Sequence, residues 1–226
     1  LGTYSGHLYL TNAVDFAGDV RNVYVSNLVT VSGAMTNGGF TKLANGTMTV
    51  SAVNAYIGPT TVGAGTLVVS GSSANSAHTV NSGGLLRGAG TVGPLTISGT
   101  VDPANAAGTA GLLSAGTVTL NDGGILRVDM PSATGSAGVD WDLLASSGAI
   151  AVPGSGAFAI QLVGAAANFN SGINQSWRIL DGDSVSGFDP ARFWVDTALF
   201  APELHNGTMS VTNDAANGDL YVFFAP

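Results

Sequence analysis

The amino-acid sequence predicts an all-β solenoid with coils of about 20 residues, closed by an aromatic-rich C-terminal cap. Three observations predict it. Two near-copies of one phrase, Gly46-Thr-Met-Thr-Val-Ser51 and Gly65-Thr-Leu-Val-Val-Ser70, stand one coil apart, and each alternates β-favouring residues after a glycine. A looser pair, Val80-Asn-Ser-Gly-Gly-Leu-Leu-Arg-Gly88 and Leu120-Asn-Asp-Gly-Gly-Ile-Leu-Arg-Val128, aligns at an offset of two coils. Only 9% of the residues are charged, none lies between Lys42 and Arg87, and the surface there must be solvated by Thr, Ser and Asn. A helical enzyme would be dressed in Lys and Glu; low charge with 45% apolar residues also argues against disorder.

Taken in order, residues 1 to 37 read as short strands at His7–Leu10, Asn22–Ser26 and Leu28–Val31, separated by turns with Gly18, Gly33 and Asn37-Gly38. Asp15 and Asp19 fall in such turns and read as solvated turn acids. From Gly38 to Gly71 the repeat takes over, and Pro59, which cannot donate to a ladder, is expected at a turn. The Gly-Gly pairs at 83–84 and 123–124 fit sharp corners where positive φ is needed. Further strands are expected at Thr91-Val92, Leu95–Val101 and Gly116–Leu120. Arg87 and Arg127 occupy equivalent places and are expected to lie flat over neighbouring strands or to pair with Asp129.

The phrases Gly39-Phe-Thr-Lys-Leu-Ala-Asn-Gly-Thr-Met-Thr-Val50, Asn54-Ala-Tyr-Ile-Gly58 and Ala64-Gly-Thr-Leu67 resemble the autotransporter-associated β-strand repeat of bacterial secreted passenger domains. Ala44, Met48 and Pro59 depart modestly from its pattern, and Asp102-Pro103 with Asn105 to Gly108 resembles the loop that often follows such repeats. The resemblance implies a right-handed, single-stranded parallel β-helix, displayed outside the cell or on a bacterial surface, with any anchor outside this chain. It also implies that the terminal portion nucleates folding during export.

The chain divides at a small-residue linker, Pro131 to Gly138, into coils over 1–130 and terminal coils with a β cap over 131–226. All three tryptophans, and aromatics such as Phe158, Phe169, Phe193, Phe200 and Phe224, follow the linker. Strands are expected at Trp141–Leu144, Ala157–Val163, Ser176–Leu180, Thr208–Val211 and Leu220–Phe224, with antiparallel hairpins around Asn213 to Gly218. A solenoid end exposes apolar side chains and strand edges, so aromatic bulk here fits a plug.

Net charge is −8, without a cluster of Lys or Arg, which excludes nucleic acid and anionic lipid as natural partners. The absence of cysteine excludes disulfides and thiolate chemistry. The uncharged run Leu143 to Trp177 is too rich in Gly, Ser and Asn to cross a bilayer as a helix, so no membrane insertion is expected.

Catalytic constellations are scarce. Gly182-Asp-Ser184 echoes an esterase motif, but Val185 follows it, and no paired histidine stands at the needed spacing. Residues 38 to 101 contain no carboxylate, so a polysaccharide-cleaving groove lacks its acid pair on that stretch; Asp102, Asp122 and Asp129 sit near loops. The cap carries Asp140, Asp142, Asp181, Asp183, Asp189 and Asp196, among which Asp181-Gly-Asp183 is the best-spaced candidate for calcium. His7, His78 and His205 are scattered singly, and the Asn-x-Ser/Thr matches at Asn45, Asn174 and Asn206 carry no weight in a bacterial setting. The expectation is a non-enzymatic stalk or adhesion module without catalytic, cofactor or metal residues. A carbohydrate-binding or carbohydrate-cleaving β-helix is the rival; Tyr4, Tyr9 and Tyr24 would favour it if they lay in line and outward.

Overall fold

A computed structural model describes residues 6–226. It is nearly all β: short strands joined by turns, with a single 3-10 turn at Pro190–Arg192 and no α-helix among the described residues.

The strands sort into long parallel sheets. One has nine strands in chain order, His7–Leu10, Leu28–Val31, Thr47–Val50, Gly65–Val69, Gly84–Arg87, Thr100–Asp102, Ile125–Asp129, Phe158–Gly164 and Phe193–Phe200. A second holds eight, from Val20–Tyr24 through Gly39–Leu43 to Ser184–Ser186, also in chain order. A third runs from Ser72–Ser73 through Leu112–Ala115 and Leu143–Ser146 to Gln175–Asp181. The chain therefore visits each sheet in turn and lays each new strand beside its predecessor. Consecutive order with parallel pairing is what a solenoid requires.

The register explains the repeated phrases. Thr47 lies beside Thr66, and Gly65 beside Gly84, so the same step along the chain separates both pairs. The spacing then changes. Leu85 pairs with Thr100, a shorter step, while Thr100 pairs with Ile125, a longer one. The steps from Ile125 to Ala159 and from Phe158 to Phe193 are longer still. The extra length is carried by loops, chiefly 103–111, 130–142 and 165–174. The repeat read from the sequence thus describes the early pairings, and most of the later ones are longer.

Alternation dictates the core. Met48, Val50, Leu86, Leu126, Ile160 and Leu162 are buried while their neighbours along the strand are more exposed; Leu67, Val101 and Val128 are buried too, each beside a further buried residue. Leu95–Val101, expected as one strand, is two, Leu95–Ile97 and Thr100–Asp102, because Gly99 packs its backbone against Asn81 and Gly84 at a corner. Gly83 and Gly123 do turn their corners with positive φ, +86° and +78°. Pro59 sits outside the ladder, just before Thr60–Val62, and its carbonyl accepts from the Phe40 N–H.

The repeat signature is internal mortar. Lys42 is fully buried, and its ammonium donates to the carbonyls of Ala44, Gly46 and Ala64 at 2.5–2.7 Å, holding two successive strand ends together. Asn54 accepts from the Met35 N–H at 2.8 Å and donates to the carbonyls of Ala52 and Ser72, so one amide bridges three levels of the stack. Tyr56 packs on Phe16 and Phe40, and its hydroxyl continues into a buried chain through Thr60 and Ser76.

At the C-terminal end the third sheet changes direction. Asp219–Ala225 joins Gln175–Asp181 antiparallel and forms a hairpin with Thr208–Asp214, as the turn residues Asn213 to Gly218 predict. Phe169 stacks near Trp177 and meets Phe200 and Phe224 edge-on beneath it. At the opposite end Leu8, Tyr9, Leu10, Val20 and Tyr24 are exposed on the outermost strands of two sheets.

Candidate functional site

A dense group of ionisable side chains lies on the flank of the nine-stranded sheet, where the step between paired strands shortens. Parallel register there stacks Arg87 beside Asp102, and Arg127 stands on the following strand, just beyond the Val101–Leu126 pair. Asp102 takes both Nε and Nη2 of Arg87 on its Oδ2, at 2.9 and 2.7 Å. Arg127 Nε donates to Asp129 Oδ1 at 3.0 Å and lies 3.7 Å from Asp102 Oδ2. The loop 103–111 folds over these residues and donates the Gly108 N–H to Asp129 Oδ2. Asp142, at the end of the next connection, accepts the Gly111 N–H at 2.7 Å and the Asp129 N–H at 2.8 Å.

Asp102, Asp129 and Asp142 are all fully buried, and each offers an oxygen within 4.8 Å of the others. Burial raises the Asp102 carboxyl above the usual range, against the pull of Arg87. Burial, together with the charges of Asp102 and Asp129, pushes Asp142 up to about 8. Sequence reasoning placed Asp102 and Asp129 near loops and expected Arg87 and Arg127 to lie flat over neighbouring strands or to pair with Asp129; Arg127 does pair with Asp129, whereas Arg87 pairs with Asp102. That reasoning did not find Asp142 beside them. The missing signal is the shortened step from Leu85 to Thr100, which breaks the repeat and brings Asp102 level with Arg87.

The remaining candidates are dispersed. Asp15 caps its own turn by accepting the Ala17 N–H, and Asp19 pairs with Arg21 at 2.9 Å on an exposed edge. Asp181 faces Arg178 at 3.4 Å, and Arg178 also reaches Asp219; Asp183 sits in an exposed bend. Burial and the neighbouring Asp219 and Asp183 carboxylates raise the Asp181 carboxyl, with Arg178 opposing. Among the described residues, Asp181 and Asp183 do not belong to a three-acid group of ligand spacing. Gly182 packs its backbone on Ile150, and Ser184 opens an edge strand without a histidine partner among the described contacts. Asp140 accepts the Ser136 N–H, Asp189 caps the 3-10 turn, and Asp196 accepts from Gln161 and Ala198.

His7 stacks on Tyr9, with ring centroids 4.0 Å apart, and His205 sits in an exposed turn. His78 is buried in the second sheet, its Nδ1 meeting the Ser76 carbonyl, and desolvation lowers it to about 4. Tyr9 and Tyr24 are exposed but belong to different sheets, so they do not form one aromatic row; Tyr4 lies outside the described residues. A shallow open depression is lined by Asn121, Asp122, Pro153 and Gly154. Two of these residues are held by the buried Arg192, which donates to the carbonyls of Val152, Pro153 and Gly156 and to Asp122 Oδ1 at 2.7–3.0 Å. No helix among the described residues is long and apolar enough to cross a membrane, a statement that does not extend to strands. No protein-family model matches the chain, and no curated protein matches it.

Proposed function

We propose that this chain is a non-enzymatic, rod-forming part of a secreted or surface-displayed passenger protein, a right-handed single-stranded β-helix that serves as a stalk or adhesion module. One observation carries the reading: strands follow one another in chain order along the parallel sheets, with the polar side chains of the repeat turned inward as mortar. Lys42, Asn54 and Tyr56, the residues that carry the resemblance to the autotransporter-associated repeat, all spend their hydrogen bonds on the stack itself. Such an architecture adds length coil by coil, each level covering the next, which suits a spacer. The acids of the Asp102–Asp129–Asp142 group are buried and locked to arginines or backbone amides, which leaves a sugar no open acid and base to sit between there.

The reading predicts an elongated particle in small-angle X-ray scattering, together with no release of reducing sugar from a polysaccharide panel. A compact scattering envelope would remove the stalk, and turnover would restore the rival carbohydrate-active reading. Glycan binding without turnover would keep adhesion and assign its ligand class.

A further inference from the structure

The cluster on the flank of the nine-stranded sheet carries an unbalanced charge. Three buried carboxylates, Asp102, Asp129 and Asp142, face two guanidinium groups, Arg87 and Arg127. Fully ionised, that group holds one negative charge in excess, on carboxylates closed to solvent, while the two arginines are partly exposed. Asp140, close to Asp142 in the chain, points elsewhere and accepts the Ser136 N–H. The remaining partners from the covering loop, Gly108 and Gly111, are neutral backbone donors. One oxygen, Asp102 Oδ1, is buried without a hydrogen-bond partner.

Two species could balance the cluster. A divalent cation would overshoot, leaving a buried net positive charge beside two guanidinium groups that already occupy Asp102 Oδ2 and Asp129 Oδ1. One proton brings the count to zero and gives the unpartnered oxygen of Asp102 a neutral neighbour. We infer that the Asp102–Asp129–Asp142 cluster holds one proton in the folded protein, so that the fastening of the loop 103–111 to the sheet weakens under alkaline conditions. The raised position of Asp142 agrees with this count.

The sign follows from linkage. A carboxyl raised in the folded state keeps its proton where the unfolded chain has lost it, so stability is present at low pH and falls as pH rises towards about 8. Below pH 6.5 the buried His78 acts in the opposite sense, so the informative window lies between 6.5 and 8. In that window the melting temperature of the whole chain should fall by about 3–5 °C per pH unit. Carbon-detected carboxyl NMR should show Asp142 still protonated at pH 6.5 and titrating near 8.

Asp102→Asn is the decisive variant. It places an amide donor at the unpartnered position, keeps an acceptor for Arg87 and removes the excess charge. Expected is a flat melting profile across that window, with a melting temperature above that of the parent at its alkaline end. A parent profile already flat in that window, or a variant that keeps the parent's slope, overturns the proposal. So does an Asp142 carboxyl found ionised at the acidic end of the window in the parent, a reading that does not depend on the variant folding. A melting temperature raised by millimolar calcium within the window and returned by chelation would assign the balancing charge to an ion and overturn it as well.

Discussion

At the scale of single residues, the repeat is held by polar groups that face inward. Lys42 is the clearest case: a buried ammonium with three carbonyl partners and no carboxylate beside it among the described residues. Desolvation lowers its pKa, so the carbonyl cage offsets only part of the cost of burying the charge. Lys42→Met keeps the stem but strands the carbonyls of Ala44, Gly46 and Ala64, and should destabilise by about 2–4 kcal/mol in urea unfolding. Lys42→Arg should not rescue it, since a planar fork does not match a compact three-carbonyl cage. His78 gives a second residue-scale prediction. Its imidazole is kept neutral by burial down to about pH 4, whereas the unfolded chain takes up a proton below about 6.5. Taken alone, His78 lowers stability as pH falls from 6.5 towards 4, by on the order of 3 kcal/mol in all, but the raised Asp142 carboxyl opposes it over the same range, so the two nearly cancel in the parent. His78→Leu should remove that opposition and leave stability rising as pH falls from 6.5 towards 4, which melting scans across the range will read.

At the scale of elements, strand and corner positions were legible at several places where glycine punctuated alternating residues, though the strand expected at Asn22–Ser26 lies at Val20–Tyr24 and Leu95–Val101 is broken at Gly99. His7–Leu10 and Leu28–Val31 stand where the pattern puts them, and the paired glycines turn the corners. Phe193–Phe200 was not legible: its burial pattern does not alternate, and a shift of register opposite Gln161 to Val163 lets it follow the sheet despite that. The Asp102–Asp129–Asp142 cluster was only half legible, because the acids lie at three different places in the chain. They meet through one shortened and one lengthened pairing that no repeat announces. The two glycines of one corner separate two physical reasons for glycine. Gly123 has positive φ but open space around its missing side chain; Gly124 has ordinary φ but would drive a Cβ to 2.6 Å from the Ile97 carbonyl and 2.7 Å from the Phe158 ring. Gly123→Ala should cost about 1 kcal/mol from backbone strain alone. Gly124→Ala should cost more, about 1–3 kcal/mol, because neighbouring backbone must move. Equal effects in denaturant titration would contradict this division.

At the scale of the whole molecule, stability must be distributed along the stack, because each strand meets chiefly the strands before and after it. The two ends differ. At the N-terminal end, His7–Leu10 and Val20–Tyr24 are edge strands with exposed apolar side chains; at the C-terminal end, the hairpin of Thr208–Asp214 and Asp219–Ala225 covers the edge of Gln175–Asp181. The hairpin also buries Trp177 beside Phe169 and Phe224, and the Trp177 indole N–H donates to the Ala133 carbonyl at 2.9 Å. Removing residues 206–226 therefore takes away one wall of that aromatic cluster and leaves a bare edge. Tryptophan fluorescence should shift to the red, and amide exchange should quicken in 175–181 and 130–142 while Gly65–Val69 and Gly84–Arg87 stay protected. A nearest-neighbour stack predicts this graded loss, whereas one indivisible core predicts collapse of every strand together. If the covered end is also where folding begins, the same truncation should slow refolding more than it speeds unfolding, since contacts present in the transition state act on the folding rate. Unchanged refolding with faster unfolding would leave the hairpin as a lid added last, and would place the start of folding elsewhere along the sheets.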